Sequence, residues 1–289
     1  MIETLEDAER RLLHERATRA RRAFRRAVRP IYAVAGDGPN PIMQHIGSCI
    51  LLSIDGHRVV ATAAHVLDNR AHGLLSVGGV VGTHPVPIVD GMLRTTTAPL
   101  GDRQRDANDC GFWLIPEAAL ATLGAVEFLD ASRISHNRAS SDHRYYMAMG
   151  YRRSRNKKTV DHRRKAIETR ASTYSGSLLP IPEPAKKLGF LDGQHFFLHF
   201  DECAEDEAGA QVNAFGPRGF SGGALVDLGD FRPAQVYASA DSWRPLLSGM
   251  LIEHRDDYRA MVAVKIGSIV EGVRAALIGR VTAAVQREA

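Results

Sequence analysis

Residues 214–227, AFGPRGFSGGALVD, set Ser221 between Gly219 and the pair Gly222-Gly223. A serine hydroxyl is a weak nucleophile at neutral pH, so it does chemistry only where a base takes its proton and donors receive the oxyanion on the attacked carbonyl. Two arrangements place such a serine among glycines. In one, a G-x-S-x-G elbow turns a strand into a helix, and the acid and histidine follow the serine in the chain. In the other the serine comes last, and the glycines leave backbone N–H groups free for an oxyanion hole. The stretch from Ser221 to residue 289 is too short for further β–α units with an acid–histidine pair, and GALVDLGD reads as a strand. The elbow is therefore rejected.

The elements that must position this serine follow from periodicity. Leu5, Ala8, Leu12, Leu13, Ala17, Ala20, Phe24, Ala27 and Val28 recur at helical spacing, with Arg10, Arg11, Arg21, Arg22, Arg25, Arg26 and Arg29 on the remaining face. This predicts one basic amphipathic helix over residues 1–30, ended by Pro30 and docked on the body. After GDGPNP the period becomes strand-like. Ser48–Ile54 and His57–Thr62 read as a hairpin closed by Asp55-Gly56, a dipeptide suited to a type I′ turn. Further short strands are expected in LLSVGGVV, HPVPIV, CGFWLI, YYMAMGY, HFFLHF, GALVDL, PLLSGMLI and AMVAVKI. Many short strands without alternating long helices indicate an all-β barrel or sandwich. Ile269, Val270, Val273, Leu277 and Val281 return to helical spacing at the end.

A hydrophobic content of 44% suffices for a sizeable core, and the net charge of +4 with a pI near 9.1 is concentrated in a few stretches. The first residues are charged throughout and hold no apolar signal core, and no run approaches a membrane span. Cys49, Cys110 and Cys203 are too few and too far apart for a disulfide framework or a zinc site. The expectation is a cytoplasmic protein with free thiols, without membrane attachment, metal or cofactor, and not a nucleic-acid binder.

The strand after the hairpin turn runs into Thr62-Ala63-Ala64-His65, which resembles the histidine motif of trypsin-like, chymotrypsin-fold serine proteases. Asn108-Asp109 ahead of the apolar CGFWLI resembles that family's aspartate motif, and GPRGFSGGAL resembles its serine motif. The order His65, Asp109, Ser221 matches the family. The likeness extends over roughly residues 45–288 and is strongest to divergent bacterial intracellular trypsin-like peptidase domains. It implies two six-stranded antiparallel β-barrels, residues 40–135 carrying His and Asp and residues 140–289 carrying Ser and a C-terminal helix. It also implies a serine endopeptidase acting on protein or peptide amide bonds. His65 would be general base, Asp109 its orienting acid, Ser221 the nucleophile, and the N–H groups of Gly219 and Ser221 the oxyanion hole. Asp106, and less so Asp102, competes with Asp109 for the acid's place.

Two departures from the secreted digestive branch bear on specificity and activation. Phe220 stands where that branch has an aspartate that pairs with a newly cut N-terminus, so activation by cleavage between Pro30 and Gly47 is not expected. Phe215 stands where trypsin has the acid that binds Lys or Arg, which favours an apolar or small residue at the cleavage site. Phe215, Gly249, Ile252 and Glu253 are the expected substrate-binding positions, and Glu253, Asp256 and Asp257 could add acidity from another wall. The basic stretch 152–165 reads as a solvated loop and the acidic stretch 201–207 as a counter-charge or exposed loop, and a regulatory protein partner would be held by the basic helix and the 152–165 loop. The competing function is a catalytically silent binding module of the same fold.

Overall fold

The computed structural model describes residues 3–35, 42–78, 85–135, 143–154, 160–161, 166–167, 171–201, 203–205, 211–213, 216–238 and 242–288. Helix α1 (Leu5–Phe24) opens where the Thr4 hydroxyl accepts the Asp7 N–H at 3.2 Å, with Glu6 and Asp7 in the first turn. Ala8, Leu12, Arg16, Ala20 and Phe24 form its buried stripe, one residue per turn. The helix stops six residues before Pro30, earlier than the helical period suggested. Val28–Ala35 is instead strand β1, buried over its first six residues. Burial on both faces removes the alternation by which a strand is recognised, and Ala27 and Val28 fit either period.

Strands β2 (Ile42–Ile54) and β3 (His57–Ala63) form the expected hairpin, with Asp55 at φ 50° and Gly56 at φ 83°, both left-handed as a type I′ turn requires. β4 (Leu74–Val77), β5 (Val86–Pro87), β6 (Met92–Thr95) and β7 (Cys110–Leu114) complete a seven-stranded sheet in the order β5-β4-β1-β2-β3-β7-β6. This corrects the expected six-stranded first barrel: the sheet is a half-barrel. Closure needs two edge strands long enough to share a register. Here one edge is the two-residue β5, whose Pro87 has no N–H, and the other is the four-residue β6, which buries none of its residues fully.

The second unit is a closed barrel. β8 (Arg144–Tyr151) is followed by the ribbon β9 (Val160–Asp161) and β10 (Ala166–Ile167), then β11 (Ala171–Leu179) and β12 (His195–His199). A second ribbon, β13 (Cys203–Glu205) and β14 (Gln211–Asn213), precedes β15 (Ala224–Asp230), β16 (Leu246–Arg255) and β17 (Ala260–Lys265). The barrel order is β11-β12-β17-β16-β15-β8, antiparallel throughout. A C-terminal helix, Ile266–Glu288, continues directly from β17. Most of the regular structure is β, and among the described residues no helix is long and apolar enough to cross a membrane.

The two units share one apolar core. Ala27, Val28, Ile50 and Leu52 from the half-barrel side belong to the same cluster as Met147, Met149, Val226 and Leu228 of the barrel. Helix α1, although it leads into β1 of the half-barrel, docks on the barrel. Arg16 is buried, and its Nη1 donates to Leu228 O at 2.9 Å and Asp230 O at 3.1 Å. Its guanidinium lies 5.0 Å from the Phe231 ring and 5.4 Å from the Trp243 ring. Gly229, at φ 89°, leaves the room: a Cβ there would stand 2.8 Å from Arg16 Nη1. Arg16→Ala would strip two barrel carbonyls of a charged donor, and should cost about 3 kcal/mol in urea denaturation. Arg22→Ala on the exposed face should leave the midpoint nearly unchanged.

Candidate active site

His65 is the second residue of the short helix α2 (Ala64–Asp68), which begins where β3 ends. The small buried Ala63 and Ala64 let this turn pack closely, and the Ala64 N–H donates to Asp109 O at 2.9 Å. The Asp109 carboxylate then holds His65 twice: Oδ1 accepts the His65 backbone N–H at 3.0 Å, and Oδ2 lies 2.5 Å from Nδ1. Asp109 is buried, whereas the His65 side chain is 39% exposed. An ionised buried carboxylate accepts only, so Nδ1 carries the ring proton and Nε2 is left as a base.

The other two candidate acids are engaged elsewhere. Asp106 accepts the Thr96 hydroxyl at 2.5 Å, Arg103 Nη1 at 2.6 Å and the Asn108 N–H at 3.1 Å. Asp102 caps a turn through the Gln104 N–H. Backbone conformation makes the difference: Asp109, at φ 27°, is twisted into the left-handed region and so faces His65. Next to it the Cys110 thiol is pushed up to about 12, first by burial and then by the charges of Asp106 and Asp109, which keeps it an inert thiol.

The serine turn meets the half-barrel through Ser48 of β2. The Ser48 N–H donates to Ser221 O at 2.8 Å, its hydroxyl donates to Gly219 O at 2.8 Å and accepts the Tyr151 N–H at 2.9 Å, and its carbonyl accepts the Thr62 hydroxyl at 2.7 Å. Thr62 lies three residues before His65, so the same contacts bring the Ser221 turn to the end of β3. The glycines are needed for this approach. A Cβ at Gly222, φ 83°, would stand 1.9 Å from Ser48 O, and one at Gly219, φ 97°, would stand 2.5 Å from Tyr151 O.

Within the turn, the Phe220 N–H donates to Pro217 O, that of Gly222 to Leu251 O and that of Gly223 to Phe220 O. Among the described residues, the N–H groups of Gly219 and Ser221 donate to no acceptor. These are the two donors that the sequence pattern singles out. Phe220 itself is buried with Tyr146, Ala148, Phe196 and Leu225.

Of the expected substrate-binding residues, Phe215 lies outside the described residues. Gly249 is paired on both sides inside the barrel, opposite Leu225 and Lys265, and a Cβ there would stand 2.8 Å from Val264 O. The strand is level with Ser221 two residues later, where Leu251 exchanges hydrogen bonds with Gly222 and Gly223. Ile252 has its side chain in the core and sits in the bulge of β16. Glu253, half-buried, pairs with Arg255 at 2.9 Å. Burial raises its pKa, Arg255 lowers it, and the charges of Asp109 and His65 act on it as well, so its carboxylate belongs to the same electrostatic environment.

Sequence reasoning missed Ser48, Thr62 and Arg103 as site residues, and also His45. His45 is buried behind Gly219, its Cε1 2.8 Å from where a glycine Cβ would be, and neither ring nitrogen has a hydrogen-bond partner among the described residues. Burial pushes its pKa down to about 4. Because the folded value lies below the unfolded one, the unfolded chain takes up the proton first. Stability from a neutral His45 is full above about pH 6.5 and falls progressively toward pH 4, by up to about 3 kcal/mol. Urea denaturation at pH 7 and pH 4.5 should show that loss in the wild type and a smaller one in His45→Gln. Ser48→Ala should lower stability by about 2 kcal/mol by leaving the buried Tyr151 N–H and Gly219 carbonyl short of a partner. It should also reduce reactivity of Ser221 toward a fluorophosphonate at temperatures where the protein stays folded.

Searches for sequence relatives found no matching family model and no matching curated protein. Among solved structures, the chain is similar to a serine endoprotease from Yersinia pestis, at 12% identity and a TM-score of 0.44, over 89% of this chain. The match spans 65% of the length of that protein.

Proposed function

We propose that the chain is a serine endopeptidase. The observation that carries this reading is the contact of His65 Nδ1 with the buried Asp109 carboxylate, on a seam shared with a serine turn whose Gly219 and Ser221 N–H groups have no acceptor among the described residues. In this reading His65 Nε2 takes the Ser221 proton as Oγ attacks the amide carbonyl, and Asp109 stabilises the imidazolium that forms. The oxyanion settles on the two free N–H groups; removal of one such donor typically costs about 10²–10³ in rate. The imidazolium then protonates the leaving amine, and water, deprotonated by the same nitrogen, releases the acyl group from Ser221.

Activation by a newly cut terminus does not fit this site. Phe220 occupies an apolar cluster and offers no carboxylate to an ammonium group. Ile31 and Gly47 are paired in the β1–β2 ladder, so the flanking segments are already committed to the sheet. The chain is therefore expected to react without cleavage, either as made or on binding a partner. A fluorophosphonate probe should label the full-length protein and fail to label Ser221→Ala, and a peptide library should be cleaved only by the former. A folded protein that is neither labelled nor able to cleave any peptide would leave the silent binding module as the better account.

A further inference from the structure

We infer that Arg103 is a positioning residue that locks the His65 helix to the Asp109 turn, a role that rests on the peptidase reading above for its catalytic consequence. Its guanidinium reaches in two directions. Toward α2, Nε donates to Asp68 Oδ2 at 2.9 Å and Nη2 to Asp68 Oδ1 at 3.4 Å. Asp68 is the last residue of the helix and stands one turn after His65. Toward the other side, Nη1 donates to Asp106 Oδ2 at 2.6 Å and to Thr96 O at 2.9 Å.

Those two residues hold the neighbours of Asp109 on either side. Asp106 Oδ1 accepts the Asn108 N–H at 3.1 Å, and Thr96 Oγ1 accepts the Cys110 N–H at 3.2 Å while donating to Asp106. Asp109 is thus fixed at both neighbours in a left-handed conformation that an aspartate adopts at a cost. Arg103 Nε also comes within 3.9 Å of Asp109 Oδ1. A planar fork suits a residue that must bind two carboxylates at a fixed angle, and an ammonium group cannot span both. The 2.5 Å contact between His65 and Asp109 therefore depends on a third side chain, whose hydrogen bonds go to Asp68, Asp106 and Thr96.

The test separates this role from general support of the fold. Proton NMR of the full-length wild type should show the strongly downfield Nδ1 proton of His65. That signal should be lost or broadened in Arg103→Gln, partly return in Arg103→Lys, and weaken in Asp68→Asn, which removes only the exposed half of the clamp. With a peptide substrate, Arg103→Gln should lower kcat by about 10–100-fold, the scale expected of a misplacement of about 1 Å, with KM within about twofold. If Arg103→Gln does not fold, Asp68→Asn carries the test. An unchanged downfield signal in Arg103→Gln or, failing that, in Asp68→Asn overturns the inference, as does a rise in KM at constant kcat. The NMR signal needs no substrate. A response of that signal in a protein that hydrolyses nothing would sink the peptidase reading and leave the clamp standing.

Discussion

Everything at the seam of this molecule turns on the fact that one backbone position, Ser48, uses all of its hydrogen-bonding groups on other elements. Its N–H and hydroxyl go to the serine turn, its hydroxyl oxygen also receives β8, and its carbonyl receives the end of β3. A fully buried polar residue must satisfy these groups inside the protein, so the contacts are obligatory once the site is dry. They fix the distance between the two units, over which the candidate site residues are divided. His65 and Asp109 come from the half-barrel, Ser221 and its neighbouring N–H groups from the barrel.

The same economy appears where charge is buried. Arg16 and Arg103 both enter the protein by spreading one guanidinium over several acceptors, carbonyls in one case and two carboxylates and a carbonyl in the other. Arg16 secures α1 to the barrel and Arg103 secures α2 to the turn before β7. Removing either takes a charged donor away from a buried acceptor, Leu228 O in one case and the Asp106 carboxylate in the other.

How much of this was legible in the sequence depended on the range of the interaction. Asp55-Gly56 announced its turn because the left-handed conformation is a local property, and TAAH and GFSGG announced theirs because small residues and glycines mark close approach. Strand β1 was hidden, since VRPIYAVA is buried on both sides and adjoins a true helix with a compatible period. The choice between Asp106 and Asp109 was likewise out of reach. Both precede the same strand, and what separates them is a backbone twist together with distant partners, such as Thr96 for Asp106 and His65 for Asp109. Ser48 lies in a run that reads only as strand, and nothing near it signals contacts more than a hundred residues distant, such as that to Tyr151. Open edges were also invisible, because whether a sheet closes depends on strand lengths at its two ends.

The path of α1 has a consequence for the order of events during synthesis. The helix is made before either sheet, yet the surface that covers its stripe is formed by β8 and β15, with Arg16 waiting for Leu228, Asp230 and Phe231. Contacts of such long separation are late contacts in folding. The half-barrel can assemble as it emerges, but the strap over the barrel is drawn tight only when nearly the whole chain is available. A nascent chain stalled before residue 221 holds His65 and Asp109 without Ser221. On the peptidase reading proposed above, this split along the chain acts as a timer, because an unfinished copy lacks one of the three residues.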